Sequence, residues 1–255
     1  MAESVTVSRP VSAAQTTLRR SDADRLFYVF AAGGMLIFKA GGFRNFYLHG
    51  RAPWGNMTAQ IMPLIVAHGL AMSGWVILFL VQCLLIRTGR RRIHLVIGPL
   101  GGVLAAAIVI LGSTVAPLSA HFSPQIYADL GGARAFLASM WAQMLSFGTF
   151  VGIGLVYRRR PEIHRPMMLL ATVVIQSGAL GRCPYIENIA VMAPLYVWAP
   201  VLLLGGLLFL LQWGMSRSAN RWYLMGYAGM VLASFASVSV GSSALWNRMV
   251  SAIVP

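Results

Sequence analysis

The fold is decided between residues 68 and 112, which read HGLAMSGWVILFLVQCLLIRTGRRRIHLVIGPLGGVLAAAIVILG. Two apolar stretches flank the basic segment RTGRRRIH at residues 87–94. Each stretch belongs to an apolar run long enough for a helix that crosses the hydrocarbon core, which takes about 20 residues. Arginines between two such runs anchor at the membrane surface. The segment therefore predicts two membrane-crossing helices joined by a short basic loop.

Further apolar runs of this kind lie on both sides of that hairpin. The predicted fold class is all-α, a polytopic transmembrane helix bundle of about seven helices. Residues 1–24 are polar and are predicted to form a cytoplasmic N-terminal tail, and residues 25–255 the transmembrane helical domain. Because Lys39 and Arg44 interrupt the first run, six helices with a re-entrant first segment is the alternative. The predicted helices span about residues 26–47, 58–86, 94–118, 134–157, 165–183, 194–213 and 221–245.

The composition excludes a soluble globular domain. The 255 residues are 58% hydrophobic and 10% charged, whereas soluble domains carry about 25% charged residues. The net charge of +14 would suit nucleic acid, but the basic residues lie in short clusters between apolar runs and form no single patch. Such clusters suit the anionic headgroups of membrane lipids. We therefore expect lipids as partners, and no nucleic acid.

The basic residues also predict the orientation of the chain. With a cytoplasmic N-terminus and an odd number of helices, the C-terminus lies outside, and the bacterial inner membrane is the expected location. Lys39, Arg44, Arg51, Arg134, Arg182 and Arg248 then fall on the outer side. The larger set falls on the inner side, as the positive-inside rule requires: Arg9, Arg19, Arg20, Arg25, Arg87, Arg90, Arg91, Arg92, Arg158, Arg159, Arg160, Arg165, Arg217 and Arg221.

Acidic residues are absent from the predicted membrane segments. The tail holds Glu3, Asp22 and Asp24, and the predicted loops hold Asp129, Glu162 and Glu187. Proton and cation relays use acids inside the membrane, so the pattern disfavours an ion-coupled transporter and a carboxylate-bridged metal site. A retinal protein would need a lysine in the last helix, and the one lysine is Lys39.

Histidine and glutamine are the polar residues that remain at depth. His68 lies near the middle of the second predicted helix, with Trp75 and Gln82 following at steps of seven on one face. Gln143 and Gln176 are predicted at comparable depth in helices four and five. Because an unpaired polar group in hydrocarbon is costly, these side chains form either an interhelical hydrogen bond or a site for haem, a quinone or another apolar ligand.

His94 and His164 occupy matched positions at the inner ends of helices three and five. If those helices are neighbours, the two imidazoles can approach one haem iron from opposite sides, and adjacent arginines can bind the haem propionates. The alternative is that both are ordinary interfacial histidines among headgroup-binding arginines.

Arg182 lies five helical turns after His164, at the outer end of the same predicted helix face. Two interpretations are open. It extends to the surface and pairs with Glu187, or it binds the anionic group of a ligand.

The chain resembles a group of uncharacterised bacterial membrane proteins in three stretches: residues 68–102 (HGLAMSGWVILFLVQCLLIRTGRRRIHLVIGPLGG), 157–172 (YRRRPEIHRPMMLLAT) and 179–182 (ALGR). The resemblance covers residues 43–183 and implies functional roles for His68, Trp75, Gln82, His94, His164 and Arg182. The chain also looks distantly like small four-helix haem or oxidase-assembly membrane proteins with one histidine per helix. This second likeness implies a haem-related function.

Taken together, these patterns predict a membrane bundle that binds haem b or a similar apolar redox cofactor and exchanges electrons with a quinone. His94 and His164 are the expected iron ligands, and His68, Gln82, Gln143, Gln176 and Arg182 the further cofactor-binding residues. One alternative is a structural or assembly subunit of a larger membrane complex, or a homo-oligomer. Another is a channel or transporter for a small molecule, with Arg182 at its mouth.

Overall fold

The computed structural model describes residues 13–49, 60–122, 124, 127–128, 131–182 and 197–254. Helices are the regular secondary structure in this part of the chain, and it contains no β-strand. This confirms the all-α fold class. In chain order the helices are α1 (Ala13–Gly42), α2 (Arg44–His49), α3 (Met62–Arg87), α4 (Arg91–Phe122), α5 (Ala133–Val156), α6 (Pro161–Val174), α7 (Ser177–Leu180), α8 (Ala199–Ser216), α9 (Arg221–Ser242) and α10 (Ala244–Val250).

Local chemistry explains where these helices begin and end. The α3–α4 turn places Gly89 at a φ of +75°, a conformation that side chains rarely adopt. Pro161 begins α6 at a position where a missing N–H costs nothing. Asn220 caps α9 by accepting hydrogen bonds from the backbone N–H groups of Trp222 and Tyr223.

Two predicted helices differ from the observed ones. The predicted fifth helix, 165–183, is broken at residues 175–176 into α6 and the four-residue α7. The predicted first helix, 26–47, is divided into α1 and α2 after Gly42, and α1 begins at Ala13, within the segment assigned to the tail. Hydropathy alone does not register the break in the fifth helix, because the apolar character continues across residues 175–176.

Five of the described helices, α3, α4, α5, α8 and α9, are long and apolar enough to cross a membrane. The helices α6 and α7 have 14 and four residues and are too short individually. The predicted count of seven crossings therefore stays a prediction.

Large apolar side chains are exposed around the outside of the bundle. Val96, Val103 and Ile110 on α4 are 78%, 69% and 66% exposed, and Leu145 on α5 and Leu232 on α9 are 73% and 69% exposed. A soluble monomer rarely exposes apolar surface on this scale. The exposed faces suit the hydrocarbon of a bilayer.

The helix α5 lies at the centre and packs against α4, α6 and α9, while α1 packs against α3, α7 and α8. Trp75 joins α3 to this core. Its indole Nε1–H donates to Thr172 Oγ1 on α6 at 3.1 Å, and its ring meets Phe147 of α5 edge-on, with centroids 5.0 Å apart. The arginine-rich end of the bundle carries Arg87, Arg90–Arg92, Arg158–Arg160, Arg217 and Arg221. The opposite end carries Lys39, His121 and Arg182.

The closest approach of α1 to the bundle is at Gly42. A Cβ atom at this position would overlap the backbone carbonyl oxygen of Ala179 on α7. Backbone cannot move aside as a flexible side chain can, so glycine is required here for the two helices to meet.

We predict that Gly42→Ala lowers the unfolding free energy by about 1–3 kcal/mol, because the added methyl group separates α1 from α7. The thermal melting temperature of the detergent-purified protein measures this. Gly41→Ala is the matched control, since a Cβ there meets no atom within 4 Å. Alanine favours a helix over glycine, so the control keeps or raises the melting temperature. An equal fall in both variants would contradict the close approach.

Candidate functional site

The side chains of His94 on α4 and His164 on α6 are in contact at the arginine-rich end. Their ring centroids are 6.5 Å apart, and the ring planes are nearly perpendicular, at 83°. The helix α5 packs against both α4 and α6, and the two imidazoles meet near its end. The structure therefore brings together the two histidines that the sequence placed at matched depth.

A backbone carbonyl orients one of these rings. The Nδ1 atom of His164 lies 2.7 Å from the carbonyl oxygen of Gly154 on α5. A carbonyl oxygen only accepts hydrogen bonds, so Nδ1–H is the donor, and in neutral imidazole the lone pair is then on Nε2. Histidines that bind metals are held in this way through their other ring nitrogen.

Gly154 makes this contact available because it lets α6 approach α5 closely. A Cβ atom at this position would lie 2.8 Å from the sulfur of Met168.

The ring of His94 is held differently. The Nδ1 atom of His94 is buried and has no hydrogen-bond partner in the described part of the chain. A buried polar atom without a partner is uncommon and costly, and it marks His94 as a side chain available to a ligand.

An ion pair beside His164 was missed by the sequence analysis. Arg165 Nη1 donates to Asp24 Oδ2 on α1 at 2.9 Å, and Gln212 Nε2 on α8 donates to Asp24 Oδ1 at 3.0 Å. The side chains of Asp24 and Arg165 are 24% and 32% exposed. Asp24, the last residue of the predicted cytoplasmic tail, therefore lies within α1 and contacts α6 and α8. The sequence signal for a buried Asp24 was its spacing of four residues from Tyr28, which puts both side chains on one face of a helix. The Tyr28 hydroxyl lies 3.4 Å from Gln212 Nε2.

The predicted central site of His68, Gln143 and Gln176 is not assembled as one hydrogen-bonded group. Gln143 Nε2 donates to the carbonyl oxygen of Val197 at 3.1 Å, and its Oε1 accepts from Ser177 Oγ at 2.8 Å. Gln143 is thus satisfied without His68. It joins α5 to α7 and to the start of α8, which is a structural role.

His68 and Gln176 lack hydrogen bonds from their side chains in the described residues. The Nδ1 atom of His68 is buried without a partner, and a Cβ atom at Gly112 on α4 would lie 2.9 Å from its Cε1. Gln176 is fully buried at the break between α6 and α7, and neither of its amide atoms has a partner. Gln82 has its Oε1 buried without a partner on α3.

Arg182 lies at the end of the bundle opposite to the histidine pair. Its Nη1 donates to the carbonyl oxygen of Gly178 at 2.5 Å, and its guanidinium carbon lies 4.8 Å from the ring centre of Phe43. The predicted partner Glu187 lies outside the described residues. His121 is exposed at the same end, where its Nδ1 is 2.7 Å from the carbonyl oxygen of Ile253.

The comparisons do not assign this arrangement to a known class. No protein-family model, curated protein or solved structure matches the chain. Within the described ranges, no group of three or more histidine, cysteine, aspartate or glutamate side chains could hold a metal ion. A cofactor held at the histidine pair would therefore depend on two imidazoles, as a haem does.

We predict that Asp24→Asn lowers the unfolding free energy by about 2 kcal/mol, because it leaves the half-buried guanidinium of Arg165 without its anionic partner. The expected fall in melting temperature of the purified protein is roughly 4 °C. Asp22→Asn is the control. The Asp22 side chain is 62% exposed and lies 3.7 Å from Arg87, so its loss changes stability little. Equal effects of the two substitutions would show that the Asp24 contact does not secure α1.

Proposed function

We propose that this protein is a bacterial inner-membrane electron-transfer protein that binds haem b between His94 and His164 and exchanges electrons with a quinone. The N-terminus and the arginine-rich end lie in the cytoplasm, and the C-terminus lies outside. The observation that carries the proposal is the contact between the two imidazoles at one end of an apolar bundle.

The spacing of the rings suits two ligands of one metal ion. With metal–nitrogen bonds of about 2 Å, two imidazoles on opposite sides of an ion have their ring centres roughly 6 Å apart. The observed separation is 6.5 Å. The donor set also fits, because His164 has its Nε2 lone pair freed by the Gly154 carbonyl, and His94 has a buried ring nitrogen without a partner.

The arginines at this end suit the charged edge of the cofactor. A haem carries two carboxylates, and guanidinium groups bind carboxylates with two parallel hydrogen bonds. Arg91 lies one turn before His94 on α4, and it is exposed, as are Arg90 and Arg92. Arg165 is already engaged by Asp24, so it fixes α6 in place and is not expected to bind a propionate.

The residues of the chain orient the cofactor and exclude water, and no other catalytic group is required. Haem supplies one-electron transfer when it is bound. The Gly154 carbonyl holds the proton of His164 at Nδ1. Leu170 and Phe147 are fully buried in the core of the same bundle. A low-dielectric surrounding of this kind is one of the means by which proteins tune haem potentials.

We predict that the protein, purified in detergent from cells supplied with haem precursor, gives sharp α and Soret bands after reduction with dithionite. His94→Ala and His164→Ala each remove a side chain that would hold the haem, so these bands are expected to be lost or altered. His121→Ala is the matched control, because His121 lies at the opposite end and bonds to a backbone carbonyl. It keeps the wild-type spectrum.

A featureless spectrum from folded, haem-replete protein would overturn the proposal. The favoured alternative is then a structural subunit of a larger membrane complex. It is supported by α4, whose apolar window is only 17% buried within the chain and so leaves a wide face for another helix or lipid. A Cβ atom at Gly98 on this helix would meet no other atom within 4 Å. A helix of a partner protein could therefore pack closely there.

A further inference from the structure

A small cavity lies at the opposite end of the bundle, between α1, α2, α3 and Arg182, which lies two residues beyond the end of α7. Its volume is about 60 Å³, and two of its lining side chains are Lys39 and Arg182. Phe43, Phe46 and Ile65 line the rest of it together with Tyr47 and Gly69. Among the residues that the structure describes, no acidic side chain lines this cavity.

Lys39 is the unusual member of this group. It is only 3% exposed, and in the described part of the chain it has neither an ion pair nor a hydrogen bond. Its contact is with the Phe43 ring, whose centre lies 4.7 Å from the ammonium nitrogen. A cation–aromatic contact offsets only part of the cost of burying a charge. An intramembrane charge kept at such a cost marks a functional site.

Arg182 adds a second positive charge at the same ring. Its guanidinium carbon is 4.8 Å from the Phe43 centre, and its side chain lines the same cavity as Lys39. An anion bound in this cavity would compensate the buried charge of Lys39.

The close packing of α1 on α7 lies beside this cavity. Gly42 allows the backbones to meet, and a Cβ atom at Gly178 would lie 2.9 Å from Arg182 Nη1 and 3.6 Å from Phe43. Glycine at these two positions therefore leaves room for the helix contact and for the Arg182 side chain beside Phe43.

The geometry points to a binding site for the oxyanion head group of a membrane amphiphile, a phosphate or carboxylate held between Lys39 and Arg182. The cavity is far smaller than the roughly 300–1,000 Å³ of a site for a drug-sized ligand, so it encloses a head group only. The apolar part of the ligand lies along α2, where Tyr47 and Leu48 are 44% and 75% exposed. The site is independent of the proposed haem, which lies at the other end.

The test uses full-length protein freed of lipid in a neutral maltoside detergent. Its melting temperature is followed as phosphatidylglycerol, phosphatidylcholine or inorganic phosphate is added. Phosphatidylglycerol is expected to raise the melting temperature of the wild type with saturation, since a ligand that binds only the folded state stabilises it. Phosphatidylcholine, whose own cation cancels the charge, gives no comparable rise.

Lys39→Met is the decisive variant because two effects of opposite sign are expected. Without lipid it melts at a higher temperature than the wild type, since a buried cation without a carboxylate is removed. Its apparent affinity for phosphatidylglycerol falls at least about tenfold, since a charged contact is lost. Arg44→Gln is the matched control, because it removes one positive charge from the exposed start of α2. It keeps the wild-type melting temperature without lipid and the wild-type affinity for phosphatidylglycerol.

Arg182→Gln provides a second variant should Lys39→Met fail to fold, and it too weakens the response to phosphatidylglycerol. Inorganic phosphate distinguishes the sources of the oxyanion. A rise with phosphate alone assigns the site to a free anion, and no rise assigns it to a lipid head group. The proposed site would be contradicted if Lys39→Met and Arg182→Gln both responded to phosphatidylglycerol as the wild type does. It would also be contradicted if phosphatidylcholine raised the melting temperature as much as phosphatidylglycerol.

Discussion

The docking of α1 is the constraint on which the rest of the structure depends. A helix that carries Asp24 and Lys39 can lie in an apolar bundle only where neighbouring helices compensate those charges. At one end Arg165 and Gln212 bind Asp24. At the other end Gly42 brings α1 against α7 and leaves Lys39 beside an aromatic ring. Both ends of this helix thereby fix the position of α6 and α7.

This arrangement concentrates the polar chemistry at the two ends of the bundle. The histidine pair lies at the arginine-rich end, and the two cations around Phe43 lie at the opposite end. Between them the core is mostly apolar, with Trp75 and Phe147 in edge-to-face contact, and it encloses the buried side chains of Gln143 and Gln176. The break between α6 and α7 separates the two regions along the chain, so that His164 and Arg182 belong to different helices.

The sequence was sufficient for the helical class and for placing His94 and His164 at matched depth, because apolar run length and arginine clusters are local signals. The contact between their rings depended on how the helices pack, which local signals do not give. The sequence was insufficient for Asp24 and Lys39. Each was interpreted as a residue at the margin of an apolar run. The partners of Asp24, which are Arg165 and Gln212, depend on which helices become neighbours, and so does the burial of Lys39, although its contact with Phe43 is local. Depth alone likewise made Gln143 a candidate partner of His68, whereas packing placed Val197 and Ser177 within its reach.

The central proposal is that His94 and His164 would together hold one haem, with the ring planes kept at the 83° that the structure shows. Electron paramagnetic resonance of the oxidised protein at liquid-helium temperature tests this most directly, because the shape of a low-spin ferric signal reports the angle between axial imidazole planes. The account predicts a single, strongly anisotropic low-spin signal with a large maximum g value. A high-spin signal alone, the rhombic signal of parallel imidazoles, or no ferric haem signal from haem-replete protein would contradict it.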